Sequence, residues 1–110
     1  MRGVCAALLL LSACTLVPSA FCDLRPTGEA RCQERLTSVS AETFKGTCAT
    51  AGGVSGDGEC PKGELVGGCD LGTQGDGAKL HDWYYPPNTH DSVMELCSSG
   101  GVPFLEPSAP

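Results

Sequence analysis

The apolar and polar positions of this chain change their period several times, and each change marks an element. Val4 to Leu11 is an unbroken apolar run behind a single basic residue, Arg2. It falls well short of the roughly 18 apolar residues that a spanning helix needs, so it reads as a short export signal. Farther on, Thr27 offers a helix N-cap with Glu29 in the first turn, and Cys32 and Leu36 stand four apart. Together these predict a short helix over Glu29 to Leu36. Thr43 to Cys48 alternates as a strand does, and Gly52 to Gly58 reads as a glycine-rich loop. Glu64 to Leu71 and Lys79 to Tyr85 predict two more strands, joined as an antiparallel hairpin around Gly75-Asp76-Gly77. The paired Gly67 and Gly68 mark either a bulge or a place where another backbone, or the Trp83 ring, lies close. Pro86-Pro87 ends the third strand. Asn88 or Thr89 then caps a helix with Val93, Leu96 and Cys97 on its apolar face and Gly100 as terminator. Val102 to Leu105 adds a short edge strand, and Glu106 to Pro110 a frayed tail. The expected fold is α+β, with a three- or four-stranded antiparallel sheet and one C-terminal helix.

Leu11-Ser12-Ala13-Cys14 closes the apolar run and resembles the bacterial lipobox, over a signal that is unusually short for that family. The resemblance implies that Cys14 is the first residue of the mature protein, carrying a thioether-linked diacylglycerol and an acylated terminus, an anchor stronger than any single chain. Thr15, being non-acidic, implies outer-membrane delivery. The corresponding domains are a signal peptide at 1–13, a lipidated tether at 14–26, a cysteine-rich domain at 27–107 and a tail at 108–110. An ordinary secretory cut is the competing reading. It would fall after Ser19, with Val17 at the minus-three position, or less suitably after Ala20, with Pro18 there. The expected location is the cell envelope, anchored at the outer membrane, with the extracellular space as alternative.

Either cut leaves Cys22, Cys32, Cys48, Cys60, Cys69 and Cys97, an even set that predicts a disulfide framework in an oxidising compartment. Spacing alone does not choose among the fifteen pairings that six cysteines allow. The expected set is Cys22 with Cys32, Cys48 with Cys60, and Cys69 with Cys97, the last fastening the C-terminal helix to the sheet. The apolar inventory is thin and contains no Ile. Crosslinks therefore decide whether such a chain folds. In the order G-T-C, C-P, V-G-G-C, W-Y-Y, C-x3-G, F-x-x-P, the stretch from Gly46 to Pro107 is similar to small cysteine-rich bacterial lipoproteins of unassigned function. That similarity implies secretion and a disulfide-held fold, and brings no active residues with it.

The net charge of −6 is concentrated in the main domain, where Lys45, Lys62 and Lys79 are the only basic residues beyond Ala41. Such a surface repels phosphate backbones, so nucleic acid is excluded as a partner. His81-Asp82 and His90-Asp91 are ingredients of metal and acid–base sites, but there is no H-E-x-x-H and no third ligand in a matching pattern. A cleft holding either histidine beside an acid would be the structural sign of catalysis. Asp57, Asp70 and Asp76 on glycine-rich loops suit calcium chemically, without the spacing of a calcium loop. Gly53-Val54-Ser55-Gly56-Asp57 lacks the final glycine of a nucleophile elbow. No metal, cofactor or catalytic residue is therefore expected. Trp83, Tyr84 and Tyr85 are the candidate binding residues: alternation sends Trp83 and Tyr85 to one face and Tyr84 to the other, and an exposed ring there would stack on a sugar or a partner's side chain. The expected function is that of a non-catalytic envelope or surface lipoprotein, held to the membrane by its lipid and contacting a protein or glycan. A freely secreted cysteine-rich effector or inhibitor is the alternative, and a small metal-dependent enzyme comes third.

Overall fold

A computed structural model describes residues 18–36 and 41–107. The expected signal peptide at 1–13, the lipid-bearing Cys14 and the tail at 108–110 lie outside the described residues. The order is β1 (Pro18–Asp23), a 3-10 turn (Arg25–Thr27), β2 (Arg31–Leu36), α1 (Glu42–Thr50), β3 (Val54–Gly56), β4 (Gly67–Thr73), β5 (Lys79–Tyr84), α2 (His90–Ser99) and β6 (Phe104–Leu105). The strands form one antiparallel sheet in the order β3-β1-β2-β5-β4-β6. The α+β class stands, with six strands and two α-helices among the described residues in place of the three or four strands and single helix expected.

Two elements are exchanged relative to expectation. The helix expected over Glu29 to Leu36 is strand β2, whose residues alternate between half-buried and buried. The strand expected over Thr43 to Cys48 is helix α1. Thr27 does not cap a helix; it closes the 3-10 turn, and Gly28 follows at φ +98°, a left-handed geometry that glycine adopts freely. Within the stretch expected as tether, Pro18–Asp23 is instead strand β1, paired with both β2 and β3. The loop expected at Gly52 to Gly58 contributes β3. The hairpin β4–β5, the Thr89 cap, the Gly100 terminator and the β6 edge strand are present as expected, with β4 starting at Gly67 rather than Glu64 and β6 confined to Phe104–Leu105. Thr89 and Ser92 satisfy each other's backbone N–H groups in a capping box. Leu96, expected on the packed side of α2, is exposed, whereas Val93 and Cys97 are buried.

Register sorts the side chains onto two faces. Cys22 pairs with Gln33, and Gln33 and Cys69 both pair with Asp82, so Cys22 and Cys69 share a face. Disulfides Cys22–Cys48 and Cys69–Cys97 fasten α1 and α2 to that face. Cys32 pairs with Trp83 and points the other way, where Cys32–Cys60 clamps the connection between β3 and β4 over the sheet. The expected Cys69–Cys97 bond is present. Cys22–Cys32 and Cys48–Cys60 are corrected to Cys22–Cys48 and Cys32–Cys60, because Cys22 and Cys32, one register position apart on paired strands, emerge on opposite sides of the sheet. The core is accordingly double: Cys69, Val93 and Cys97 with Tyr84 under α2, and Cys32, Cys60 and Tyr85 with Phe21, Leu65 and Trp83 beneath the clamped connection. Three disulfides place the domain in an oxidising compartment outside the cytoplasm. Among the described residues no helix is long and apolar enough to cross a membrane.

Candidate functional site

The face of the sheet opposite the helices is only partly covered, and the gap is a cavity of about 210 Å³. Its floor is made by Glu34 and Leu36 of β2 and by His81 and Trp83 of β5; Leu65 and the Glu59–Lys62 ion pair edge it from the clamped connection. Alternation on two adjacent strands puts all four floor residues on one side.

Trp83 is locked from two directions. Its indole N–H donates to Glu34 Oε1 at 2.9 Å. Its six-membered ring lies against Gly68, where a Cβ would come within 2.6 Å of Cε3. The expected close approach of Trp83 to the paired glycines is therefore real, and the irregularity in β4 falls instead between Asp70 and Gly72. Glu34 is buried, with 6 % of its surface exposed, and its second oxygen accepts from the Cys60 N–H at 2.8 Å. The disulfide that closes the roof thus also sets the donor that orients the carboxylate.

His81 stands between two acids, its Nδ1 3.9 Å from Glu34 Oε1 and its Nε2 3.8 Å from Asp70 Oδ1. Both separations exceed a hydrogen bond. Burial alone would raise the Asp70 pKa, but the Gly72 N–H, the Lys79 ammonium and His81 outweigh it and hold the carboxyl below the usual range. A cleft with His81 beside an acid is the sign named above for catalysis. Glu34, however, is pinned by one N–H donor on each oxygen, among the described residues no hydrogen bond orients the imidazole, and the one cysteine that lines the cleft is in a disulfide.

The three aromatic candidates have different surroundings. Trp83 lines the cavity. Tyr84, on the helix face, packs into the cluster around Cys69, Val93 and Cys97, and burial and the nearby Asp82 carboxylate push its phenol up. Tyr85 is 1 % exposed, a core residue with no ring to offer a partner. Its hydroxyl donates to the Pro61 carbonyl at 2.7 Å, and the Arg25 guanidinium lies 3.8 Å from its ring centroid. Burial pushes this phenol up to about 12 against the pull of Arg25.

The two histidines do not meet, His90 being on α2 across the sheet. It is exposed, bonded to Glu106 at 3.0 Å and set edge-on to Phe104. The calcium candidates are likewise separate: Asp57 pairs with Lys45, Asp70 with Lys79, and Asp76 with Arg35. Among the described residues no three His, Cys, Asp or Glu side chains are grouped to hold a metal. Sequence reasoning missed Glu34 altogether; its signal, an acid at the centre of an alternating stretch, was hidden by the helical reading of β2. No protein-family model, curated protein or solved structure matches this chain.

Proposed function

We propose that this protein is a lipid-anchored component of the cell envelope whose disulfide-clamped domain contacts another macromolecule and carries out no chemistry of its own. The observation that carries the anchored reading is the position of β1. Ala20 is wholly buried and the Ser19 hydroxyl donates to the Arg35 carbonyl at 3.0 Å. A secretory cut after Ser19 or Ala20 would remove the first residues of a strand that pairs with two others. Acylation at Cys14 would leave the strand whole and hold the sheet within a few residues of the bilayer. The contact surface in this reading is the Trp83 cavity, where a rigid ring and a buried carboxylate are presented on a fixed sheet, an arrangement that suits recognition because it costs little ordering on binding. Net negative charge argues for a partner other than nucleic acid.

Growth of the native host with a palmitate analogue, followed by intact-mass analysis, tests the anchor. The expected outcome is a labelled protein whose sequence begins at Cys14, with label lost in Cys14→Ala. An unlabelled protein beginning at Ala20 or Phe21 would establish free secretion instead.

A further inference from the structure

The partly covered face carries one acid–cation–ring assembly in full. Arg25 donates from Nε and Nη2 to Asp23, at 3.0 and 2.8 Å, and its guanidinium lies over Tyr85. Two positions before Tyr85 on the same face stands Trp83, and beside it Glu34, again a ring and a carboxylate in contact. Here no lysine or arginine among the lining groups reaches the carboxylate, and the basic group beside it is His81, at 3.9 Å and without a hydrogen bond. Lys62 is taken by Glu59 at the rim, and among the described residues no Lys or Arg pairs with Glu34. A buried carboxylate at the N–H edge of an indole is an attractive place for a cation, which can pair with the acid and lean over the adjoining ring face at once. The surrounding charge of the molecule favours the same sign of ligand. Size narrows the class: about 210 Å³ is below the ~300 Å³ at which sites for whole small molecules begin, and suits one long side chain. Leu36 and Leu65 provide apolar wall for the methylene stem of such a side chain.

We propose that the Trp83 cavity receives one basic side chain, lysine or arginine, of a partner polypeptide, with its cation against Glu34 and over the indole. This rests on the reading that the domain contacts a macromolecule, and it stands or falls separately from the lipid on Cys14. Trp83 is the only Trp in the chain, so its emission and its indole N–H resonance report the site directly.

The test uses the full disulfide-bonded chain and blocked five-residue peptides with glycines flanking a central lysine, arginine or norleucine, with methyl glucoside as a glycan probe. The expected result is a saturable Trp83 response to the lysine or arginine peptide. Norleucine should bind at least about tenfold more weakly, and Glu34→Gln should weaken the basic peptide by a similar factor. Raising salt to about 0.5 M should weaken it further. Should Glu34→Gln fail to fold, the norleucine and salt comparisons on the unaltered chain decide. No response to either basic peptide, equal response to norleucine, or a response to methyl glucoside alone overturns the proposal, and leaves the mass of the mature N-terminus as a separate question.

Discussion

At the scale of single residues, the cavity depends on what is missing from Gly68. A Cβ there would approach the Trp83 ring to 2.6 Å and the Asp82 carbonyl oxygen to 2.7 Å, and the second contact is with backbone that has nowhere to go. Gly68→Ala is therefore an overpacking change of the kind that costs about 1–3 kcal/mol. The expected outcome is a lower melting temperature together with a shifted Trp83 emission, since moving the indole also strains its bond to Glu34. A variant with unchanged stability and emission would show that the ring is not held from below. This contact was legible in the sequence as two adjacent glycines near an aromatic strand. Glu34 was not, because an acid in an amphipathic stretch carries no mark of burial until the register is known. The Tyr84 and Tyr85 rings were legible only as a pair of opposite faces. What covers each face depends on the disulfides, and a roof clamped by Cys60 makes Tyr85 core and leaves Trp83 beside the opening.

At the scale of elements, the exchange of helix and strand at β2 and α1 has one cause. Cys32 and Leu36 are four apart, and so are Phe44 and Cys48. Four is one turn of a helix and also an even number of strand positions, so such a pair shares a face under either period. The deciding residues lie between. In β2 the buried residues include Glu34, midway between Cys32 and Leu36, which a helix would turn away from their face. In α1 the helical choice is marked by Glu42 and Lys45, an i, i+3 ion pair, with Cys48 as the buried residue. Thr89 and Gly100 bound α2 and Gly75 to Gly77 bend the hairpin as the sequence indicates, whereas the Thr27 cap signal belongs to a 3-10 turn. One contact between elements is sensitive to pH. His90, which opens α2, bonds to Glu106 just beyond β6, and that carboxylate raises the imidazole above its ordinary value near 6.5. A raised folded pKa means that this contribution to stability is complete below the unfolded value and is lost as pH rises through the folded one. An NMR titration should give His90 a midpoint above 6.5, returning toward that value in Glu106→Gln. An unshifted midpoint in the unaltered chain would mean that the contact does not persist in solution.

At the scale of the whole molecule, the six-stranded sheet is covered on each face by one small apolar cluster built around a disulfide. The three disulfides among the described residues join positions 26, 28 and 28 apart. Closing loops of that length stabilises a chain by about 3–4 kcal/mol each, and the sum is comparable with the entire net stability of an ordinary domain. Cys22–Cys48 and Cys32–Cys60 also overlap along the chain while acting on opposite faces, so each constrains what the other encloses. The first holds α1 on one side, and the second draws the roof of the cavity onto the other. Complete reduction should consequently abolish the cooperative melt. Cys32→Ala with Cys60→Ala should act more selectively, loosening the roof, removing the ordered donor to Glu34 and abolishing the Trp83 response to a basic peptide, while α2 stays fastened through Cys69–Cys97. A non-reducing peptide map of the native protein supplies the check. Bonds Cys22–Cys48, Cys32–Cys60 and Cys69–Cys97 are required, and a Cys22–Cys32 bond would mean that the two cysteines share a face, which the β1–β2 register forbids.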